Sequence, residues 1–243
     1  MSPSGASAGE PNSSPPNDGK ALTVVLDGET YARIPLRTRV VMPGDEIDEV
    51  IRTYAADAVV AGDLLFVTEK IVAITQGRSY PVSSIEPRRL AFFLSKYVTR
   101  TPHGIGLGMP ETMEMALREC GTPRILFAAA VAAITKPLGR KGDFYRIAGD
   151  KARAIDGPTS GTIPPYNEAV VLGPAHPDRV ARDLQGILPD GVDVAIVDIN
   201  DLGGNILGST LDRAGDERLR RILSDNPLGQ GHQSTPLGIV RRS

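Results

Sequence analysis

Residues 62–78 read GDLLFVTEKIVAITQGR. Leu64 to Thr75 is apolar and β-branched, interrupted only by Glu69 and Lys70. Gly62-Asp63 precedes it and Gln76-Gly77-Arg78 closes it. The pattern predicts a strand over 64–75 bounded by turns. On such a strand Lys70 shares a face with Phe66, Thr68, Val72 and Ile74. A lysine among apolar neighbours carries a desolvation cost that a phosphate or carboxylate partner relieves. The plainer alternative is a lysine near a strand end whose stem carries its ammonium out to water. A second stretch, VDVAIVDI at 192–199, is the most strand-like in the chain, and Asp198 follows four consecutive apolar residues. The run Asn200-Asp201-Leu202-Gly203-Gly204-Asn205 after it reads as a polar loop. A carboxylate at a strand end beside such a loop suits a hard divalent cation, which takes oxygen ligands and keeps several waters.

Working outward from these two stretches, strands and helices intermix irregularly. Leu22 to Leu26, Asp27-Gly28 and Thr30 to Ile34 read as a hairpin with an Asp-Gly turn. Ile47, Val50, Ile51, Tyr54 and Ala58 recur at helical spacing after Pro43-Gly44-Asp45, which predicts a helix over 45–57. Ser84 to Tyr97 reads as a helix with Pro87 in its first turn, and Glu111 to Cys120 as a helix with Pro110 at N1. Ile125 to Thr135 reads as a buried element of either type. A strand over 169–173, a helix over 177–188 and a helix over 216–225 follow, before a polar Gly/Gln/Pro tail. No repeat of 20–50 residues is present. The expected class is α+β with mixed sheets rather than a doubly wound sheet.

Composition narrows the function. The chain has 243 residues, 41% hydrophobic and 23% charged, enough for a real core. With 27 Lys plus Arg against 29 Asp plus Glu, the net charge of −2 lacks the basic surplus of a nucleic-acid or anionic-membrane binder. Aromatics are 5% and Trp is absent, which disfavours a stacking platform for single strands. No apolar run reaches the roughly 18 residues of a bilayer span. One cysteine, Cys120, and three dispersed histidines exclude an internal disulfide and a Cys/His metal cluster. A reducing, cytoplasmic setting is the simplest reading. Residues 1–20 contain twelve Pro, Gly or Ser, and no Leu, Ile, Val or aromatic. They read as a disordered tail ahead of one domain over 21–243.

Four further segments could carry chemistry. His103-Gly104-Ile105-Gly106-Leu107-Gly108 could cradle an anion, but it follows a helical pattern and lacks Gly-Lys-Ser/Thr. It is therefore neither a dinucleotide fingerprint nor a Walker loop. Asp156 opens the turn Asp156-Gly157-Pro158-Thr159, as a metal ligand or as a plain turn residue. The stretch 225–233, DNPLGQGHQ, reads as a solvated loop. Arg88-Arg89, Arg140-Lys141 and Arg241-Arg242 read as solvated faces, although Arg140-Lys141 could close over a phosphate.

Taken in order, these pieces resemble the γ-glutamyl ligases that add glutamate to the precursor of the deazaflavin coenzyme F-420. Pro43-Gly44-Asp45-Glu46-Ile47 looks like that family's PGDD(I/L) segment. Gly62-Asp63 through Val67-Thr68-Glu69-Lys70-Ile71-Val72 to Gln76-Gly77-Arg78 looks like its GD-x-x-VV-x-x-K-x-VS-x-x-EGR segment. Ala154-Ile155-Asp156-Gly157-Pro158-Thr159 resembles its GVD-x-SN turn, Val171-Leu172-Gly173-Pro174 with Pro177-Asp178 its LLP-x-DPD segment, and Val194 to Asp198 its strand ending in Asp-Thr.

The resemblance implies an α+β γ-glutamyl ligase-like fold, an intertwined homodimer, and use of GTP with Mg²⁺ or Mn²⁺. Its substrates would be a small-molecule carboxylate acceptor and L-glutamate. It implies that Lys70 contacts nucleotide, that Pro35, Leu36, Arg37 and Thr159 approach it, and that Asp156, Asp198 and Gln230 lie on the metal. His103 is a candidate phosphate contact or general base. The sequence departs from the family at Ile199, where a threonine follows the aspartate, at Thr159, where an asparagine stands, and over 104–143. These departures keep two other readings open: a non-catalytic nucleotide- or ligand-binding homologue, and a ligase with an unrelated acceptor. Deleting residues 2–20 is expected to leave the melting temperature within about two degrees, because a solvated Pro/Ser segment makes few contacts. A larger loss in a thermal melt would mean that the tail docks.

Overall fold

The computed structural model describes residues 20–98, 106–140, 142–200, 203–228 and 233–243. In chain order its elements are β1 (Thr23–Leu26), β2 (Glu29–Leu36), α1 (Ile47–Tyr54), β3 (Leu64–Thr68) and α2 (Glu69–Thr75). Next come β4 (Ser79–Pro81), α3 (Arg89–Ser95), α4 (Pro110–Glu119), α5 (Thr122–Thr135), α6 (Asp143–Ala148), α7 (Asp150–Arg153) and β5 (Ala169–Val171). The chain ends with α8 (Pro177–Gln185), β6 (Asp193–Asn200), β7 (Gly203–Ser209), α9 (Arg213–Ile222) and β8 (Leu237–Arg242). The class is α+β, as expected. Two compact units are formed, one from residues up to Val41 with Asp45–Ile71 and His176–Ser243, the other from Met42–Gly44 and Val72–Ala175.

The first unit is built on a six-stranded mixed sheet in the order β1-β2-β8-β3-β6-β7. Among the described strands of this sheet, only β3 and β6 pair in parallel. The β1–β2 hairpin closes at Asp27 and Gly28, both with positive φ, as an Asp-Gly turn requires. At the centre of the sheet, Leu65, Phe66, Val67 and Val194 to Val197 are fully buried. Phe66, Ala195 and Val197 pack with Leu219, Ile222 and Leu223 in and after α9. That helix begins at Arg213 because the Asp212 carboxylate caps it, accepting the Gly215 N–H at 2.7 Å.

The greatest departure from the sequence reading is the C-terminal tail, which is not a solvated appendage. Leu237, Ile239 and Val240 are buried, and β8 pairs antiparallel with β2 on one side and β3 on the other. Gly238 is required there by contact: a Cβ would lie 2.3 Å from the Phe66 ring. Arg241 is not a solvated charge either. Its guanidinium grips the buried Asp63 carboxylate at 2.6 and 2.8 Å, and Asp63 also accepts the Val60 N–H. Arg242 pairs with Glu29. Part of the polar run after β6, read as a loop, is β7, paired with β6 from Asn200↔Gly203 onward. The expected strand 64–75 stops at Thr68, where pairing with β6 ends, and Glu69 starts a helix.

In the second unit, β4 and β5 form a two-stranded sheet, and helices α3 to α7 surround a core that includes Leu107, Met113, Leu117, Ile125 and Ala148. Pro110 does open α4 at its first turn. The helix expected at 84–97 is shorter, beginning only at Arg89, beyond Pro87. The apolar stretch 125–135 is helical but not buried: within α5 only Ile125 and Ala128 are covered. Arg88 is also more than a surface charge. With Arg118 it holds the buried Glu114 carboxylate at 2.9–3.0 Å. Burial pushes that carboxyl up, but the bonds from Arg88 and Arg118 outweigh it and leave its pKa below the ordinary value. Its stabilising charge is present above the ordinary carboxylate range and is lost as pH falls through the lowered value. Arg140 pairs with Asp143.

Because Gly238 faces an interior ring in mid-sheet, Gly238→Ala is expected to cost about 1–3 kcal/mol of overpacking. Urea unfolding measures this, and an unchanged midpoint would contradict the placement of β8.

Candidate functional site

The strands β2, β3 and β6 run in the same direction, since β8 lies antiparallel between β2 and β3 and β6 is parallel to β3. Leu36, Leu237, Val67 and Ile196 stand side by side in one row across four strands. Beyond that row, at a single edge of the sheet, the chain places Arg37 after β2, Glu69 and Lys70 after β3, and Asp198 near the end of β6. Ligands of open sheets with parallel strands gather at such carboxyl ends. Five sequence candidates, Pro35, Leu36, Arg37, Lys70 and Asp198, therefore lie at or next to the same edge of the first unit's sheet. Pro35 and Leu36 are buried, Arg37 is exposed, and Lys70 and Asp198 are half-buried.

Backbone bonds hold this edge closed. The Thr38 N–H donates to the Ser234 carbonyl and the Thr68 N–H to the Pro236 carbonyl, both at 2.9 Å. The Arg37 Nε donates to the Gln233 carbonyl at 3.1 Å. Along β6, Asp198 falls on the face of Val194 and Ile196. Ile199, on the opposite face, packs against the α9 core, which accounts for an apolar residue at that position.

Lys70 is thus a helix residue, the second of α2, and the strand-face argument for its strain does not apply. Its place at the edge rests instead on the abrupt turn from β3 into α2. Asp156 and Thr159 belong to the second unit. Asp156 exchanges both backbone bonds with Val171, at 2.8 and 2.9 Å, and the Thr159 hydroxyl bonds the Thr162 hydroxyl at 2.7 Å. His103 and Gln230 lie outside the described residues. The second unit also carries a mainly apolar cleft of about 700 Å³, lined in part by Met42, Val82, Met109, Pro158 and Tyr166. Sequence reasoning missed it because its walls come from five separate segments.

The closing motif of the opening stretch, Gln76-Gly77-Arg78, has a structural task. The Gln76 side chain exchanges two bonds with Ala175, and Arg78 donates to the Gly173 carbonyl at 2.7 Å and to Glu119 at 2.8 Å. Gly173 itself lies against Ala154, with no room for a Cβ.

Among the described residues no three His, Cys, Asp or Glu side chains cluster as a metal cage. Mg²⁺ and Mn²⁺ need no such cage, since they bind through one or two carboxylates, waters and substrate phosphates. No helix of the described residues is long and apolar enough to cross a membrane. The model of the F420-0:gamma-glutamyl ligase family matches residues 35–209, from the last two residues of β2 to the end of β7. The chain belongs to that family. No curated protein matches it.

Arg78→Met removes the guanidinium that spans Gly173 and Glu119, and is expected to lower the unfolding free energy by about 1–3 kcal/mol. Chemical denaturation tests this. An unaltered midpoint would contradict this structural task for Arg78.

Proposed function

We propose that this chain is a GTP- and divalent-metal-dependent amide ligase that joins L-glutamate to the coenzyme F-420 precursor or a related carboxylate acceptor. The observation that carries the reading is the gathering of Arg37, Lys70 and Asp198 at one sheet edge inside a segment matched by the ligase family. Lys70 supplies a fixed positive charge for the nucleotide phosphates, and Pro35, Leu36 and Arg37 shape the wall beside them. Asp198 is the metal ligand on this unit. Asp156, Thr159 and Gln230 keep their roles from the family resemblance alone, and His103 stays a candidate phosphate contact or general base. A bound Mg²⁺ or Mn²⁺ would offset charge developing on the phosphates.

The acceptor carboxylate oxygen attacks the γ-phosphorus of GTP, the bond to the bridging oxygen breaks, and GDP leaves. The glutamate amine then attacks the acyl carbon, the amide bond forms, and inorganic phosphate and a proton depart. A reading as a ligase with another acceptor draws on the divergence over 104–143, and shares every step except the identity of the carboxylate.

Asp198→Asn keeps the shape and removes the charge. Metal-dependent GTP affinity is expected to weaken at least tenfold, about 1.4 kcal/mol, while the apo melting temperature stays near that of the wild type. Lys70→Met is expected to weaken GTP binding similarly with or without metal. Isothermal titration reads both. Wild-type protein that binds no GTP in the presence of Mn²⁺ would overturn the proposal.

A further inference from the structure

The cleft of the second unit, about 700 Å³ in volume, has the size and the mainly apolar lining of a site for one small organic molecule. Among the described residues, none assigned to the ligase site lines it. Met42 is 41% exposed and Met109 is half-buried, so both thioethers keep accessible surface at the wall. Thioethers adapt their shape to a guest and make favourable contacts with aromatic rings. Pro43, Pro158 and Pro165 fix φ in three of the wall segments. Local bonds tie these segments. The Ser84 hydroxyl donates to the Pro81 carbonyl and the Thr159 and Thr162 hydroxyls bond each other, both at 2.7 Å. The hydroxyl of the buried Tyr166 donates to the Met42 sulfur at 3.9 Å, and Pro81 pairs with Ala169 across the β4–β5 sheet. A wall held in this way is formed before a ligand arrives, which lowers the ordering cost of binding. Among the described residues of the lining, Glu168 is the one charged side chain, and it is exposed at the rim. No Lys or Arg of the lining is there to meet a phosphate or a carboxylate. The cleft is thus the electrostatic opposite of the sheet edge that carries Arg37 and Lys70.

We infer that this cleft binds a flat aromatic molecule that carries a positive charge, its ring against Met42 and Met109 and its cation at Glu168. The apolar walls favour a ring over water. A flexible chain could fill the same volume only by freezing its rotors, which a ring does not have to do. The lone carboxylate attracts a cation and repels an anion, so it selects against nucleotides and carboxylic acids. The site is therefore separate from those of GTP and the carboxylate substrates, and it stands whether or not the ligase reading holds.

Titration calorimetry on the full chain, at low salt and without nucleotide or metal, tests this with three probes of one shape. They are 2-naphthylmethylammonium, 2-naphthylmethanol and 2-naphthoate. The ammonium is expected to bind with a Kd of about 0.1–1 mM, ordinary for roughly a dozen non-hydrogen atoms. It should bind at least about threefold more tightly than naphthoate, with the alcohol between them. Glu168→Gln should remove that preference and leave the affinity for the alcohol unchanged. Ser83→Trp fills the mouth from an exposed position, and Met42→Ala removes part of a wall. Each should weaken ammonium binding at least about threefold with unchanged circular dichroism, and having both guards against misfolding of either. No binding of the ammonium to the wild type, naphthoate binding as tightly, a preference that survives Glu168→Gln, or binding that survives both wall variants would each overturn the inference. GTP and Mn²⁺ titrated into the same preparations report separately on the ligase reading, so the two failures are distinguishable.

Discussion

The insertion of β8 between β2 and β3 is the constraint on which the first unit depends. Without it, β1 and β2 would form an isolated hairpin, and β3 would have only β6 beside it. With it, two strands far apart in sequence point the same way, and their carboxyl ends reach the same edge as that of β6. The cost of this insertion is local and identifiable. One strand position must lack a side chain so that Phe66 can lie across it, and one buried carboxylate, Asp63, must be met by Arg241. Removing one partner of such a buried pair leaves an uncompensated charge, so the two residues act as a latch specific for the correct register of the last strand.

The edge defined in this way gives chemical meaning to residues that look unrelated in the chain. Arg37 and Lys70 are separated by a helix and a strand, and Asp198 by more than a hundred further residues, yet each follows or ends a strand of common direction. Two cations and two carboxylates, Arg37 and Lys70 with Glu69 and Asp198, lie at this sheet edge, the mixture on which the proposed nucleotide and metal would draw. A simple anion would have no use for the carboxylates, and a free metal ion none for the cations. This electrostatic mixture, together with the family match, is what supports the proposed nucleotide chemistry.

Much of this was legible in the sequence, and the failures have physical causes. The Asp-Gly hairpin, the proline-started α4 and the strand that carries Asp198 declared themselves through local rules, and the ligase-like segments through their resemblance to the family. The tail did not, because β8 has only four apolar-run residues, one of them glycine, flanked by polar segments and two arginines. Its strand character comes from neighbours on both sides rather than from its own propensity. Part of the Asn/Gly-rich run before Ile206 misled in the same way, since β7 borrows its order from β6. Ile71 to Thr75 is β-branched except at Ala73 and so reads as strand, but strand pairing stops at Thr68 and α2 takes over. For α5 the composition was apolar enough for burial, yet hydrophobicity alone does not say that the same chain supplies the cover.

The most direct measurement is product analysis. The protein is incubated with the coenzyme F-420 precursor, L-glutamate, GTP and Mn²⁺, and the mixture is analysed by mass spectrometry alongside GDP release. The account predicts that the acceptor gains glutamyl residues, with one GDP formed per amide bond and no product when GTP or metal is omitted. Glutamyl product formed without GTP, or tight GTP and metal binding with no product from any carboxylate acceptor, would contradict it.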